Sequence, residues 1–94
     1  MNPFENWKQH ELKWSMELEQ VWSSSSEGVK SVGFDTEASG LHIKKDKPFL
    51  FQIGWNGNVY LFEPHWSFMQ VVFKIFNSVG WVFAHNIKYD LNML

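Results

Sequence analysis

Two acidic side chains stand two residues apart where an apolar run ends. The segment VGFDTEASGL carries Asp35 and Glu37, and the apolar residues before them are typical of a β-strand. Residues i and i+2 of a strand point to the same face, which suits two carboxylates that share one metal ion. A second apolar run, WVFAH, is followed in the same way by Asn86 and Asp90. These four residues are the candidates for a single site.

The chemistry of this set favours a hard metal ion. Asp90 lies four residues after Asn86, which is about one helical turn, so its carboxylate can point back over the same spot. Carboxylate ligands in a chain without cysteine favour Mg²⁺ or Mn²⁺. Clustered carboxylates repel one another, and a bound cation relieves that repulsion. Asp35, Glu37 and Asp90 are therefore the predicted ligands of a two-metal phosphoryl-transfer site.

The hydrophobic pattern predicts the elements that must position these residues. Apolar runs and turn signals indicate strands, and apolar spacing of three and four residues indicates helices. Asn56-Gly57-Asn58 is a hairpin-type turn. The predicted order is strand 29–37, strand 48–56, strand 59–64, helix 65–80, strand 81–85 and helix 86–94.

This order predicts an α/β fold. Three strands joined by short connections form an antiparallel meander, and the helix then acts as a crossover that returns a fourth strand parallel to the first. The strand at 81–85 is nearly all apolar, as strands inside a sheet are. The ends of the first and fourth strands then meet in a crevice, which is where sites form in open α/β sheets.

The N-terminal part of the chain has a different pattern. Apolar residues at helical spacing predict an amphipathic helix over 4–22, which either packs on the core or docks a partner. The serine-rich stretch 23–28 is typical of a linker. We therefore expect an N-terminal helix and linker over 1–28 and a second unit over 29–94.

Composition narrows the class of protein. The chain has 94 residues, is 45% hydrophobic and carries a net charge of −2, so it is one small domain and not a generally basic nucleic-acid binder. Its basic residues are eight lysines with no arginine, and it has no cysteine. Neither a signal peptide nor a membrane span is expected. An intracellular setting is permitted.

The two motifs resemble those of a known enzyme superfamily. FDTEASGL is similar to the first motif, and AHNIKYDLNML to the second, of the DEDD (DnaQ-like) 3′–5′ exonucleases. The resemblance is closest to the proofreading domain of family A DNA polymerases and covers residues 30–94. It implies a ribonuclease H-like fold, two divalent ions (Mg²⁺ or Mn²⁺) and the cytoplasm of a bacterial or phage-infected cell.

The resemblance also implies a role for each matching residue. Asp35 would bridge both ions, Glu37 would bind one of them and the terminal 3′-hydroxyl, and Asp90 would hold the second. Leu41 would insert between the last two bases, although a loop leucine that closes over the core is an alternative. Asn86 would contact the substrate strand, cap the following helix, or do both.

One part of the family pattern is missing from this sequence. The family has a third motif, Tyr-x-x-x-Asp or His-x-x-x-Asp, and no acid follows Asp90 here. We therefore expect a fold truncated before its last strand and helices. The chain would be a fragment, one half of a split polymerase or exonuclease completed in cis or in trans, or a repurposed remnant.

Three functions compete at this stage. The first is a metal-dependent exonuclease that shortens single-stranded DNA from its 3′ end and releases nucleoside monophosphates, with RNA open as a substrate. The second is a catalytically inactive binding module on the same fold. The third, a different carboxylate nuclease such as a ribonuclease H, is disfavoured by the Asn-x-x-x-Asp spacing.

Overall fold

The computed structural model describes residues 4, 6–37 and 50–84, which form one sheet and two helices. The strands run in the order β1-β4-β3-β2-β5 across the sheet. The elements in chain order are β1 (Lys8–Glu11), α1 (Ser15–Ser25), β2 (Ser31–Glu37), β3 (Leu50–Trp55), β4 (Asn58–Phe62), α2 (Trp66–Ser78) and β5 (Trp81–Ala84).

The predicted meander and crossover are confirmed. β2 pairs antiparallel with β3, and β3 pairs antiparallel with β4. The chain then returns through α2 to β5, which pairs parallel with β2. The turn between β3 and β4 has positive φ at both Asn56 (52°) and Gly57 (80°), as a type I′ hairpin turn requires. The short-range signals in the sequence were therefore sufficient for this part of the fold.

Both helices pack on the same face of the sheet. The buried residues Leu18 and Trp22 of α1 and Val72 and Ile75 of α2 belong to one cluster with inward residues of β2, β3 and β4. Aromatic rings dominate this cluster, and Phe34 makes edge-on contacts with Phe51 and Phe76. We call this the helical face of the sheet.

The opposite face carries a smaller apolar cluster built around Phe4, which we call the Phe4 face. Phe4, Val59 and Leu61 are buried together there. Gly33 and Gly54 lie opposite each other on β2 and β3, and a Cβ atom on either would come within 3.0 Å of the Phe4 ring. Two glycines thus leave the space that this ring occupies.

The helix predicted over 4–22 is wrong in its first half. Residues 8–11 form the edge strand β1, which pairs parallel with β4, and the helix begins only at Ser15. It also continues through Ser25, into the stretch predicted as a linker, and a turn at Gly28 (φ 77°) follows. Phe4 and Trp7 contribute to the Phe4 face, whereas Leu18 and Trp22 pack on the helical face. The apolar residues that share helical spacing therefore pack on opposite faces of the sheet.

The placement of β5 also differs from the prediction of a strand inside the sheet. Among the described strands β5 is an edge, and Trp81 and Phe83 are 70% and 64% exposed. The predicted final helix over 86–94 lies outside the described residues. None of the helices that the structure describes has the length and apolarity needed to cross a membrane.

Candidate active site

Four of the five strands end at the same edge of the sheet. β2 and β4 are both antiparallel to β3, β5 is parallel to β2, and β1 is parallel to β4. The carboxyl ends of β1, β2, β4 and β5 therefore lie together, and we call this the carboxyl edge. Open α/β sheets place their sites at such an edge, which agrees with the location predicted from the motifs.

Asp35 lies near the carboxyl end of β2, on the Phe4 face. Asp35 is only 5% exposed. Strand alternation places it on the side of Gly33 and away from Phe34, which packs on the helical face. Thr36 is also buried, and strand alternation places it on the helical face, opposite to Asp35.

The other predicted site residues are described in part or not at all. Glu37 is the last residue of β2 and pairs in register with Leu50. β5 ends at Ala84, in register with Phe34, so the chain leaves β5 at the carboxyl edge beside β2. Leu41, Asn86 and Asp90 lie outside the described residues, and their roles stay predictions.

Gln52 is a polar residue that the sequence did not assign to the site. It pairs in register with Asp35 on the neighbouring strand β3 and is 1% exposed. The sequence feature that could have indicated Gln52 is the single amide within the apolar run FLFQIGW. The pairing of Gln52 with Asp35 is visible only in the structure.

The donor atoms at this position fit a hard divalent cation. The Asp35 carboxylate supplies oxygen atoms, the type of ligand that Mg²⁺ and Mn²⁺ prefer. Burial penalises a charged carboxylate, and a bound cation compensates that penalty. Within residues 4, 6–37 and 50–84, no three His, Cys, Asp or Glu side chains come together as a metal site. Asp35 is thus the only predicted ligand whose side chain the structure describes.

The topology and the position of Asp35 together define a class of protein. An antiparallel meander, a helical crossover and a parallel strand, with a buried aspartate at the carboxyl edge, are the first part of a ribonuclease H-like fold. The family model for the 3′–5′ exonuclease domain of family A DNA polymerases matches residues 11–94. The chain belongs to this exonuclease family. Its members act on DNA as parts of polymerases and generally depend on divalent metal ions.

The other comparisons add no relatives. No match was found among curated proteins or among solved structures. The family match begins at Glu11 and includes α1, whereas the resemblance carried by the two motifs began at residue 30. The strand β1 and the helix α1 also share the sheet and the core with the later elements. The division of the chain into units at residue 28 stays a prediction.

Proposed function

We propose that this chain carries the metal site of a proofreading-type exonuclease, with Asp35, Glu37 and Asp90 as ligands of two Mg²⁺ or Mn²⁺ ions. The substrate is the 3′ end of single-stranded DNA, and the product is a nucleoside monophosphate. One observation supports this most directly: Asp35, from the first family motif, is buried at the carboxyl edge of β2. The cellular setting that goes with this function is the cytoplasm of a bacterial or phage-infected cell.

The sheet prepares Asp35 for this role. Asp35 itself pairs with β3, and the residues of β2 up to Phe34 pair with β5 on the other side, so the carboxylate is held on a rigid element. The ions, when bound, supply Lewis-acid activation of water and stabilisation of the charge that develops on the phosphate. Leu41 and Asn86 are the proposed contacts to the terminal base and to the substrate strand.

A second candidate is a binding module without activity, or one half of a split polymerase or exonuclease. The exposed edge strand β5 favours it, because Trp81 and Phe83 are large apolar side chains left open to solvent. Surfaces of this kind are typical of contacts with another protein segment. The remainder of the polymerase, in cis or in trans, is the proposed partner for this edge.

A nuclease assay tests the first candidate against the second. Single-stranded DNA labelled at its 5′ end is incubated in Mg²⁺ or Mn²⁺ with the chain joined to, or mixed with, the remainder of the polymerase that would supply the third motif. The shortened strands and released monophosphates are measured. The exonuclease predicts stepwise shortening from the 3′ end that stops with a chelator. Because Asp35 holds an ion, Asp35→Asn is expected to lower the rate by about 10²-fold or more, the scale of losing one electrostatic stabiliser.

Thr36→Val is the matched control, because Thr36 is a buried neighbour on the opposite face. It is expected to retain the wild-type rate. The absence of metal-dependent shortening by the chain together with the remainder of the polymerase, or equal rates for Asp35→Asn and wild type in that setting, contradicts the exonuclease proposal. Either result favours the binding module.

A further inference from the structure

Gln52 is a fully buried amide in a strand that is otherwise apolar. Its neighbours along β3 are Phe51 and Ile53, which point to the opposite, helical face, and Gln52 itself is 1% exposed. Burying a side-chain amide is costly unless its polar atoms are satisfied. A leucine at this position would avoid that cost, so the presence of glutamine indicates a polar task.

The register identifies the group that Gln52 can serve. Asp35 and Gln52 are direct cross-strand partners in the antiparallel pair of β2 and β3. Directly opposed residues have Cβ atoms about 4.5–5.5 Å apart, within reach of a glutamine amide and a carboxylate. The next cross-strand pair on the same face, toward the start of β2, is Gly33 and Gly54. Neither glycine has a side chain that could lie between Asp35 and Gln52.

An amide suits this position better than a charged donor. A lysine opposite Asp35 would neutralise the carboxylate and repel a cation, whereas an amide N–H can orient one carboxylate oxygen without adding charge. The second carboxylate oxygen then stays available to a metal ion. Such outer partners commonly fix the orientation of metal ligands, and their loss weakens metal binding.

We propose that Gln52 is a positioning residue for the metal site, with its side-chain Nε2–H donating a hydrogen bond to the Asp35 carboxylate. This inference rests on the proposed function, because it assumes that Asp35 binds the ion. Gln52 acts through Asp35 and has no role of its own in the reaction.

Titration of the chain with Mn²⁺, followed by calorimetry, tests the proposal. Gln52→Met keeps the length of the side chain and removes the amide, so it is expected to weaken Mn²⁺ binding by about 10- to 100-fold. Its thermal unfolding without metal is expected to remain cooperative, with a lowered midpoint, because the buried Asp35 carboxylate loses a hydrogen-bond donor. Thr36→Val, a buried polar residue removed from the opposite face, is expected to leave Mn²⁺ affinity unchanged.

A second measurement does not depend on how Gln52→Met folds. The side-chain amide resonances of Gln52 are measured by nuclear magnetic resonance in the folded wild-type chain and in the Asp35→Asn variant. A hydrogen bond to the carboxylate predicts a clear shift of the Gln52 amide protons in Asp35→Asn, and unchanged resonances overturn the proposal.

The outcomes separate the two proposals. If Asp35→Asn loses Mn²⁺ binding while Gln52→Met binds Mn²⁺ like the wild type, the positioning role is wrong and the metal site stands. If Asp35→Asn binds Mn²⁺ like the wild type, the proposed function itself fails.

Discussion

Glycine at positions 33 and 54 gives the Phe4 ring its place beside the strand that carries Asp35. A Cβ atom on Gly33 would lie 2.9 Å from two carbon atoms of the Phe4 ring, which is closer than such contacts tolerate. The next neighbour, the Phe83 carbonyl oxygen, lies at an ordinary 3.9 Å. Any cost of a side chain at Gly33 must therefore arise from Phe4.

The contact between Gly33 and Phe4 predicts that substitutions at these two positions have coupled effects on the free energy of unfolding. Gly33→Ala is expected to lower the free energy of unfolding by about 1–3 kcal/mol, the usual cost of overpacking. In a Phe4→Ala background the same change should cost far less, because the ring is gone. Denaturant unfolding of the four proteins of this double-mutant cycle measures the coupling. Equal costs of Gly33→Ala in both backgrounds would show that Phe4 does not occupy this space.

Tyr60 predicts how stability depends on alkaline pH. Its side chain stacks on His10 and is largely buried, and desolvation raises the pKa of its hydroxyl above the usual 10.0. The unfolded chain therefore releases this proton at a lower pH than the folded chain does. The stability contribution is fully present below pH 10 and is lost as the pH rises from there through the folded pKa.

Tyr60→Phe removes this group and keeps the ring. The difference in free energy of unfolding between wild type and Tyr60→Phe is expected to be constant below pH 10 and to move against the wild type above it. Chemical denaturation across this range measures the difference. A difference that does not change with pH would mean that burial leaves the pKa of Tyr60 unperturbed.

At the scale of elements, α1 shows where sequence reasoning failed. Phe4, Trp7 and Trp14 share helical spacing with Leu18 and Trp22, so the pattern predicted one helix. The strand β1 between them, KQHE, lacks apolar alternation because it is an exposed edge strand. It forms through parallel pairing with β4, a contact between residues distant in sequence, and no local pattern reports such a contact.

The packing of α1 makes a testable distinction between its residues. Leu18 is 0% exposed and Met16 is 63% exposed on the same helix. Leu18→Ala is expected to cost about 2–5 kcal/mol of unfolding free energy through the cavity it creates. Met16→Ala, the control, is expected to stay within about 0.5 kcal/mol because it is a surface change.

Denaturant unfolding of the two α1 variants compares their stabilities. Similar, small effects of both substitutions would contradict the packing of α1 against the sheet. A large effect of Met16→Ala alone would reverse the assignment of the buried face of the helix.

For the whole molecule, the predictable parts of the fold were those set by neighbouring residues. The Asn-Gly turn, the meander and the crossover through α2 followed from turn chemistry and hydrophobic spacing. The position of Asp35 at the carboxyl edge followed in turn from that topology. The register that sets Gln52 opposite Asp35 could not be predicted, because a shift of the pairing by two residues leaves every side chain on the same face and so fits the same hydrophobic pattern.

The position of β5 at an edge of the described sheet was not predicted. Its apolar sequence predicted an interior strand, whereas β5 is an edge among the described strands and Trp81 and Phe83 are exposed. The sheet has an opposite edge, β1, whose lysine, histidine and glutamate are typical of an edge that discourages further pairing. The two edges of the described sheet therefore differ in polarity, with exposed apolar side chains on β5 and polar ones on β1.

The proposed function requires that Asp35, the buried aspartate at the carboxyl edge, belongs to a divalent metal site. The most direct test is a calorimetric titration of Mn²⁺ into the wild-type chain, Asp35→Asn and Thr36→Val under identical conditions. Saturable binding is expected for the wild type and for Thr36→Val, and loss of that binding is expected for Asp35→Asn. Equal Mn²⁺ affinity in Asp35→Asn and wild type, or no binding to the wild type at millimolar Mn²⁺, would contradict this requirement.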